Sequence, residues 1–141
     1  MTTADVRGDL ADVLVRYATG IDRRDWVLFR SCFTEQCHAD YADFGVWHSA
    51  DEITAWMDEA HRHWGHTMHR ISNIVVSGDD ERATARSYVD AVLFQPDGQL
   101  GVQALGFYDD ELLKTDDGWK IDRRQWTAVQ IHNAAAVDLP S

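Results

Sequence analysis

Residues 10–26, LADVLVRYATGIDRRDW, decide how the rest of the chain is read. Leu10, Val13, Leu14, Tyr17, Ala18 and Ile21 recur at the i, i+3, i+4, i+7 spacing of a helix that buries one stripe. A first helix therefore sets the core face. Asp22 falls at the edge of that stripe, where the helix should end. Its carboxylate is either a turn or capping group, or one aimed into a cavity.

Downstream, Asp25 can cap a short second helix from Trp26 to about Phe33, with Trp26, Phe29 and Phe33 facing inward, so the two helices form a hairpin. Residues 37–41 read as a short strand, and Phe44-Gly45-Val46-Trp47 as a turn into another apolar patch. Ser49 with Glu52 makes a capping-box pattern, and Ile53, Trp56, Met57, Ala60 and Trp64 then predict a third helix over about 50–64. From His66 onward the pattern is extended, with strands expected at about 68–76, 82–94, 100–113 and 119–131. Ser77-Gly78-Asp79-Asp80, Pro96-Asp97-Gly98 and Asp116-Asp117-Gly118 supply the Gly and Asx chemistry of reversing turns, which makes this half an antiparallel meander.

Helices first and strands afterwards predict an α+β fold, with the helices packed on one face of a strongly curved sheet. Long strands twist and coil, and a coiled sheet capped by helices makes a cone with a hollow end. At 141 residues the chain suits one domain, 1–141, with a core over about 6–130 and a tail, 134–141, that has little to bury.

Composition narrows the function classes. The chain is 45% hydrophobic, and its six Trp, five Phe and four Tyr can wall a small-molecule pocket as well as fill a core. Asp and Glu outnumber Lys and Arg 24 to 13, a formal net charge of −11, so nucleic acid and anionic membrane surfaces are repelled. Cys32 and Cys37 form no CxxC pair and have no further cysteines to join, which points to reduced, structural thiols. No basic-then-apolar leader opens the sequence and no apolar run reaches bilayer length, so a soluble cytoplasmic protein is expected.

The chemistry-bearing candidate is His69, in Thr67-Met68-His69-Arg70-Ile71-Ser72-Asn73. Strict alternation groups His69 with Ile71, Asn73 and Val75, opposite Met68, Arg70 and Ile74; both faces carry apolar residues, so periodicity leaves the covered face open. If the helices cover the His69 face, its imidazole and the Asp22 carboxylate can converge near the mouth of the cone. A carboxylate on one ring nitrogen fixes the tautomer and stabilises the imidazolium, freeing the other nitrogen as a base. His61, His63, His66 and His69 form a cluster, but residues two apart on a helix face different ways and no HExxH spacing occurs, so no metal site is expected. Arg82, Arg86, Arg123 and Arg124 read as solvated strand positions, and Trp56, Trp64, Trp119 and Trp126 as core or subunit contacts.

Tyr17-x4-Asp22, Arg24-Asp25-Trp26, Ala39-Asp40-Tyr41, Thr67-x-His69 and Asp117-Gly118-Trp119-Lys120 together resemble the SnoaL-like branch of the nuclear transport factor 2 superfamily, over about residues 6–130. Within it the pattern is similar to scytalone dehydratase, bile acid 7α-dehydratase and hexachlorocyclohexane dehydrochlorinase. The resemblance implies an α+β cone, a homo-oligomer (dimer or trimer), a hydrophobic small-molecule substrate and no organic cofactor. It implies that Asp22 orients His69 and that His69 removes a proton from carbon. Tyr17 matches a position that holds a polar group on the substrate, Tyr41 a water-holding tyrosine, Arg124 an arginine of the dehydrochlorinase site, and Asp90 lies near an acidic position of the bile acid enzyme. One departure stands out. The second histidine of scytalone dehydratase would fall near Ser87 or Tyr88, so either Tyr88 or Asp90 substitutes for it or the reaction differs.

These readings lead to a cofactor-independent lyase, a dehydratase of a hydrophobic cyclic, polyketide-like or steroid-like molecule. An isomerase or cyclase using the same enolate is the alternative, and a non-catalytic binding or assembly module is the alternative of another class.

Overall fold

In the computed structural model, which describes the backbone of residues 3–137, the stripe of the opening stretch becomes the inner face of α1 (Thr3–Asp22). Leu10, Val13, Leu14, Tyr17 and Ile21 are at most 1% exposed. Burying a side chain of this size stabilises by about 1.5–3 kcal/mol, so this face dominates the docking of the helix. α2 (Trp26–Ser31) follows, capped by Asp25, whose carboxylate accepts from Leu28 N–H at 3.0 Å. The two helices pack closely because Gly20 carries no Cβ; one placed there would lie 2.9 Å from the Phe29 nitrogen. α2 ends before Phe33, which instead opens β1 (Phe33–Asp40), so this strand is longer than expected.

A 3-10 turn (Ala42–Phe44) and a two-residue strand β2 (Val46–Trp47) lead to α3 (Ala50–His61). Ser49 Oγ accepts from Glu52 N–H at 3.1 Å, while Glu52 reaches back to the N–H of His48 at 2.7 Å, one residue before the cap. The helix stops short of Trp64, and His61 lies in its last turn.

The remaining strands are β3 (Thr67–Gly78), β4 (Arg82–Phe94), β5 (Leu100–Thr115) and β6 (Gly118–Ala135). They form the expected antiparallel meander inside a six-stranded mixed sheet of order β2-β1-β6-β5-β4-β3, in which β1 runs parallel to β6. Three helices lie on one face of this sheet, a cone-shaped α+β arrangement whose sheet is not closed. β6 runs into the expected tail as far as Ala135; residues 138–141 of that tail lie outside the described residues. No helix among the described residues is long and apolar enough to cross a membrane. Cys32 and Cys37 are both buried free thiols, each pushed up to about 11 by burial.

Two of the sheet's irregularities decide which candidate side chains face the helices. On β3, Ser72 pairs with Tyr88 but the next register pair is Val75 with Arg86, so two residues on β3 oppose one on β4. Asn73 takes φ 52° within that bulge. The alternation expected for β3 therefore breaks: His69 and Ile71 face the helices, but beyond the bulge Ile74 and Val76 take that side, and Asn73 and Val75 are exposed. On β6, Glu111 pairs Arg123 and Leu112 pairs Ile121, leaving Asp122 as the extra residue. Trp119 and Ile121 face the core before it, and Arg124 and Trp126 after it.

Candidate active site

α1 ends at Asp22, beside the first turn of β3. The chain reverses there through Arg24, at φ 56°, whose guanidinium donates to the carbonyls of Ile21 (2.8 Å) and Gly65 (2.7 Å) and to Thr67 Oγ1 (2.9 Å). Thr67 in turn donates to Asp22 Oδ1 at 2.8 Å. The helix end and the strand start are thus tied together on both sides of the carboxylate.

Asp22 is occupied by His69 at both oxygens. Oδ1 accepts from the ring Nδ1 at 2.7 Å and Oδ2 from the backbone N–H at 2.8 Å. Burial alone would raise the Asp22 carboxyl; the hydrogen bonds from the His69 ring and backbone and from Thr67 outweigh it, and the group is held below its ordinary value. An ionised carboxylate only accepts, so Nδ1 carries a proton, and in the neutral ring Nε2 keeps its lone pair. The His69 side chain is 9% exposed and lies on the wall of a cavity of about 490 Å³ between the helices and the sheet. Most of that wall is apolar, including Trp56, Met57, Val89, Leu93 and Trp126.

Three tyrosines that line the same cavity meet one another. Tyr17 and Tyr41 hydroxyls are 2.6 Å apart, and Tyr108 lies 3.4 Å from Tyr17. Burial raises all three above the ordinary phenol value, so they stay protonated at neutral pH and act as hydrogen-bond donors. Arg124 sits behind them with its guanidinium over the rings of Tyr108 (3.7 Å) and Tyr17 (4.2 Å), and it approaches Tyr41 Oη at 3.4 Å. Its Nε and Nη2 donate to Asp110 Oδ1 and Oδ2 at 2.7 and 2.9 Å, a bidentate pair with no exposure on either side chain. Burial works against the Arg124 charge, but Asp110 overcomes it and holds the guanidinium well above its ordinary value.

The structure joins Asp22 to His69, the convergence the sequence allowed, and His69, Tyr17 and Tyr41 all line the one cavity. Three other candidates do not reach the cavity. Tyr88 and Asp90 alternate with the inward-facing Ser87, Val89 and Ala91, with no bulge to turn them, and so lie on the outer face of the sheet. Tyr88 is 49% exposed there, and Asp90 is held by Arg70 (2.7 Å) and Gln103 (2.9 Å). Arg124, expected at the substrate and otherwise read as solvated, is buried behind the tyrosines. Alternation from Trp119 and Ile121 would have put it outside; the bulge at Asp122 turns it in.

Sequence reading passed over Tyr108 and His61. His61 follows Ile53 and Met57 at i, i+4, i+8 on the buried face of α3, a periodicity that marks it as inward-facing, whereas its spacing from the other histidines bears only on metal binding. It is buried, lines the same cavity, and its ring centroid is 5.9 Å from that of His69. Among the described residues no group of three or more His, Cys, Asp or Glu side chains is placed to hold a metal ion.

Comparison with known proteins agrees with this fold. The family described as "SnoaL-like domain" matches residues 2–125. An uncharacterised protein of Mycobacterium tuberculosis is 28% identical over 120 residues, which cover 84% of this chain and 82% of the relative. Among solved structures, a LinA-type hexachlorocyclohexane dehydrochlorinase of Novosphingobium barchaimii superposes with a TM-score of 0.83 at 13% identity, covering 98% of this chain and 96% of that one. A protein of Novosphingobium aromaticivorans, provisionally described as a scytalone dehydratase, gives 0.82 at 21% identity, over 92% and 87% of the two chains. At such identities the two structures show a shared fold.

Proposed function

The chain belongs to the SnoaL-like domain family, and from that premise we propose that it is a cofactor-independent lyase, a dehydratase of a hydrophobic cyclic, polyketide-like or steroid-like molecule. The observation that carries this reading is the 2.7 Å contact between Asp22 and His69 on the wall of an apolar cavity. His69 Nε2 removes a proton from the carbon next to a carbonyl, and Asp22 stabilises the imidazolium that results. The enolate oxygen is met by the Tyr17–Tyr41 pair: one hydroxyl donates to the other, and the acceptor's own proton is left for the substrate. The C–H and C–O bonds break, a C=C bond forms, and the proton on His69 leaves with the hydroxyl as water. Acid–base catalysis contributes about 10²–10⁴-fold, and positioning in the cavity must supply the remainder.

A β-hydroxy tetralone tests this, since loss of water gives a fluorescent naphthol. Wild-type protein should accelerate naphthol formation and His69→Gln should not. Equal rates for the two proteins and for buffer would sink the dehydratase reading.

One observation favours the isomerase or cyclase alternative. Tyr88 and Asp90, the side chains expected to assist a leaving group, stand outside the cavity. An enolate that is reprotonated or closes a ring needs no such assistance. The cavity and the formal net charge of −11 support a neutral small-molecule ligand over nucleic acid or membrane. Exposed Met68, Val75 and Tyr88 on the outer face of the sheet support a homo-oligomer, which light scattering would size. The buried free cysteines support a cytoplasmic setting.

A further inference from the structure

The imidazole of His61 has a fixed hydrogen-bonding polarity that neither the proposed mechanism nor the packing uses. Its Nδ1 lies 2.9 Å from the carbonyl oxygen of Met57, one turn earlier on α3. A carbonyl oxygen only accepts, so Nδ1 bears the proton and Nε2 of the neutral ring presents a lone pair. The ring is 6% exposed, and burial, aided by the nearby positive charge of Arg24 and by His69, pushes it down to about 4; it is neutral at pH 7 although a helix C-terminus would favour the cation. Nε2 is buried without a hydrogen-bond partner. An aromatic or aliphatic side chain would fill the same volume against Trp26 without stranding an acceptor.

His61 and His69 line one cavity with their ring centroids 5.9 Å apart. We propose that His61 Nε2 is a binding group for a hydroxyl of the substrate, which selects ring compounds carrying a hydroxyl close to the carbon that His69 deprotonates. Because Nε2 has no proton to give, the hydroxyl it holds is one the substrate keeps: accepting a hydrogen bond from a hydroxyl makes that oxygen a worse leaving group. The ligand class is thus a cyclic alcohol or phenol with a second, separate reacting position. This inference rests on the cavity being the substrate site, and its test is kept apart from the test of proton abstraction.

The probes are β-naphthol and its methyl ether, which differ in the one proton His61 would accept. Binding is read from quenching of the cavity tryptophans, including Trp56 and Trp126. Wild-type protein should bind the naphthol roughly five- to tenfold more tightly than the ether, the preference expected from one hydrogen bond. In His61→Phe the preference should vanish through loss of naphthol affinity, with ether affinity kept. Binding is read without turnover, so a failed lyase reading leaves this result intact. Nitrogen-15 NMR of wild-type protein gives a second readout that needs no variant: the His61 Nε2 resonance should move on adding naphthol and stay still with the ether. An unchanged preference in folded His61→Phe, a still Nε2 resonance, or no binding of either probe would each overturn the proposal.

Discussion

Replacing Asp22 with Asn separates the stability role of the carboxylate from its chemical one. Asp22 accepts hydrogen bonds from Thr67 Oγ1, the His69 backbone N–H and His69 Nδ1, using both oxygens. Asn offers one oxygen and places an NH2 group where the other stood. A donor then faces a donor, or the imidazole turns to the other tautomer and puts its proton on Nε2, where the base is needed. An unsatisfied donor costs about 1–3 kcal/mol, and the charge-assisted character of the remaining bonds is lost as well. With the Asp22 side chain 23% exposed, water offsets part of this, and a total of about 2–4 kcal/mol is expected. For a chain of this length that lowers Tm by roughly 5–15 °C. The chemical loss should be larger: a base in the wrong tautomer forfeits most of the general-base contribution, about 10²–10⁴-fold, or roughly 3–5 kcal/mol of barrier. The assay is exchange of the α-protons of α-tetralone in deuterated water, followed by proton NMR at a temperature where the variant is folded. It reports proton abstraction alone, whatever follows. If Asp22→Asn exchanges within about threefold of wild type while His69→Gln is inactive, Asp22 is a structural tie and the dyad argument is wrong.

Other consequences follow from buried groups and backbone geometry. His61 is held at about 4 in the folded protein against an ordinary 6.5, so the unfolded chain binds the extra proton first. Its contribution to stability is complete above about pH 6.5 and declines as pH falls toward 4, by roughly 3 kcal/mol; urea unfolding across that window should show a slope that His61→Phe lacks. Arg124→Met should destabilise by about 3–5 kcal/mol in thermal melts by stranding the Asp110 carboxylate, and adding Asp110→Leu should restore much of the loss. At the β3 bulge, Asn73→Gly should be near neutral in chemical denaturation, whereas Asn73→Val should cost about 1–2 kcal/mol, because a β-branched residue resists φ 52°.

Much of this protein was legible in its sequence where the determinant is local. The stripe of α1, the Asp25 and Ser49 caps, and the Gly and Asx turns between strands depend on residues within a few positions of one another, and all formed as read. The pairing of Asp22 with His69 was legible through resemblance, since no local rule joins residues 47 positions apart. What tertiary structure decided was the facing of individual side chains. The bulges at Asn73 and Asp122 each add one residue to a period of two, and each reverses the side chains that follow it, on β6 as far as a further bulge at Val129. That carries Arg124 inward behind the tyrosines and turns Val75 outward, while the unbroken alternation of β4 keeps Tyr88 and Asp90 outside. The role of His61 was decided the same way. A histidine on the apolar face of a helix reads as core, and only the packed fold makes it line the cavity that His69 also lines, with Nε2 buried and without a partner. Local preference sets which elements form; where a side chain ends up depends on register and packing across the whole sheet, which no short window of sequence contains.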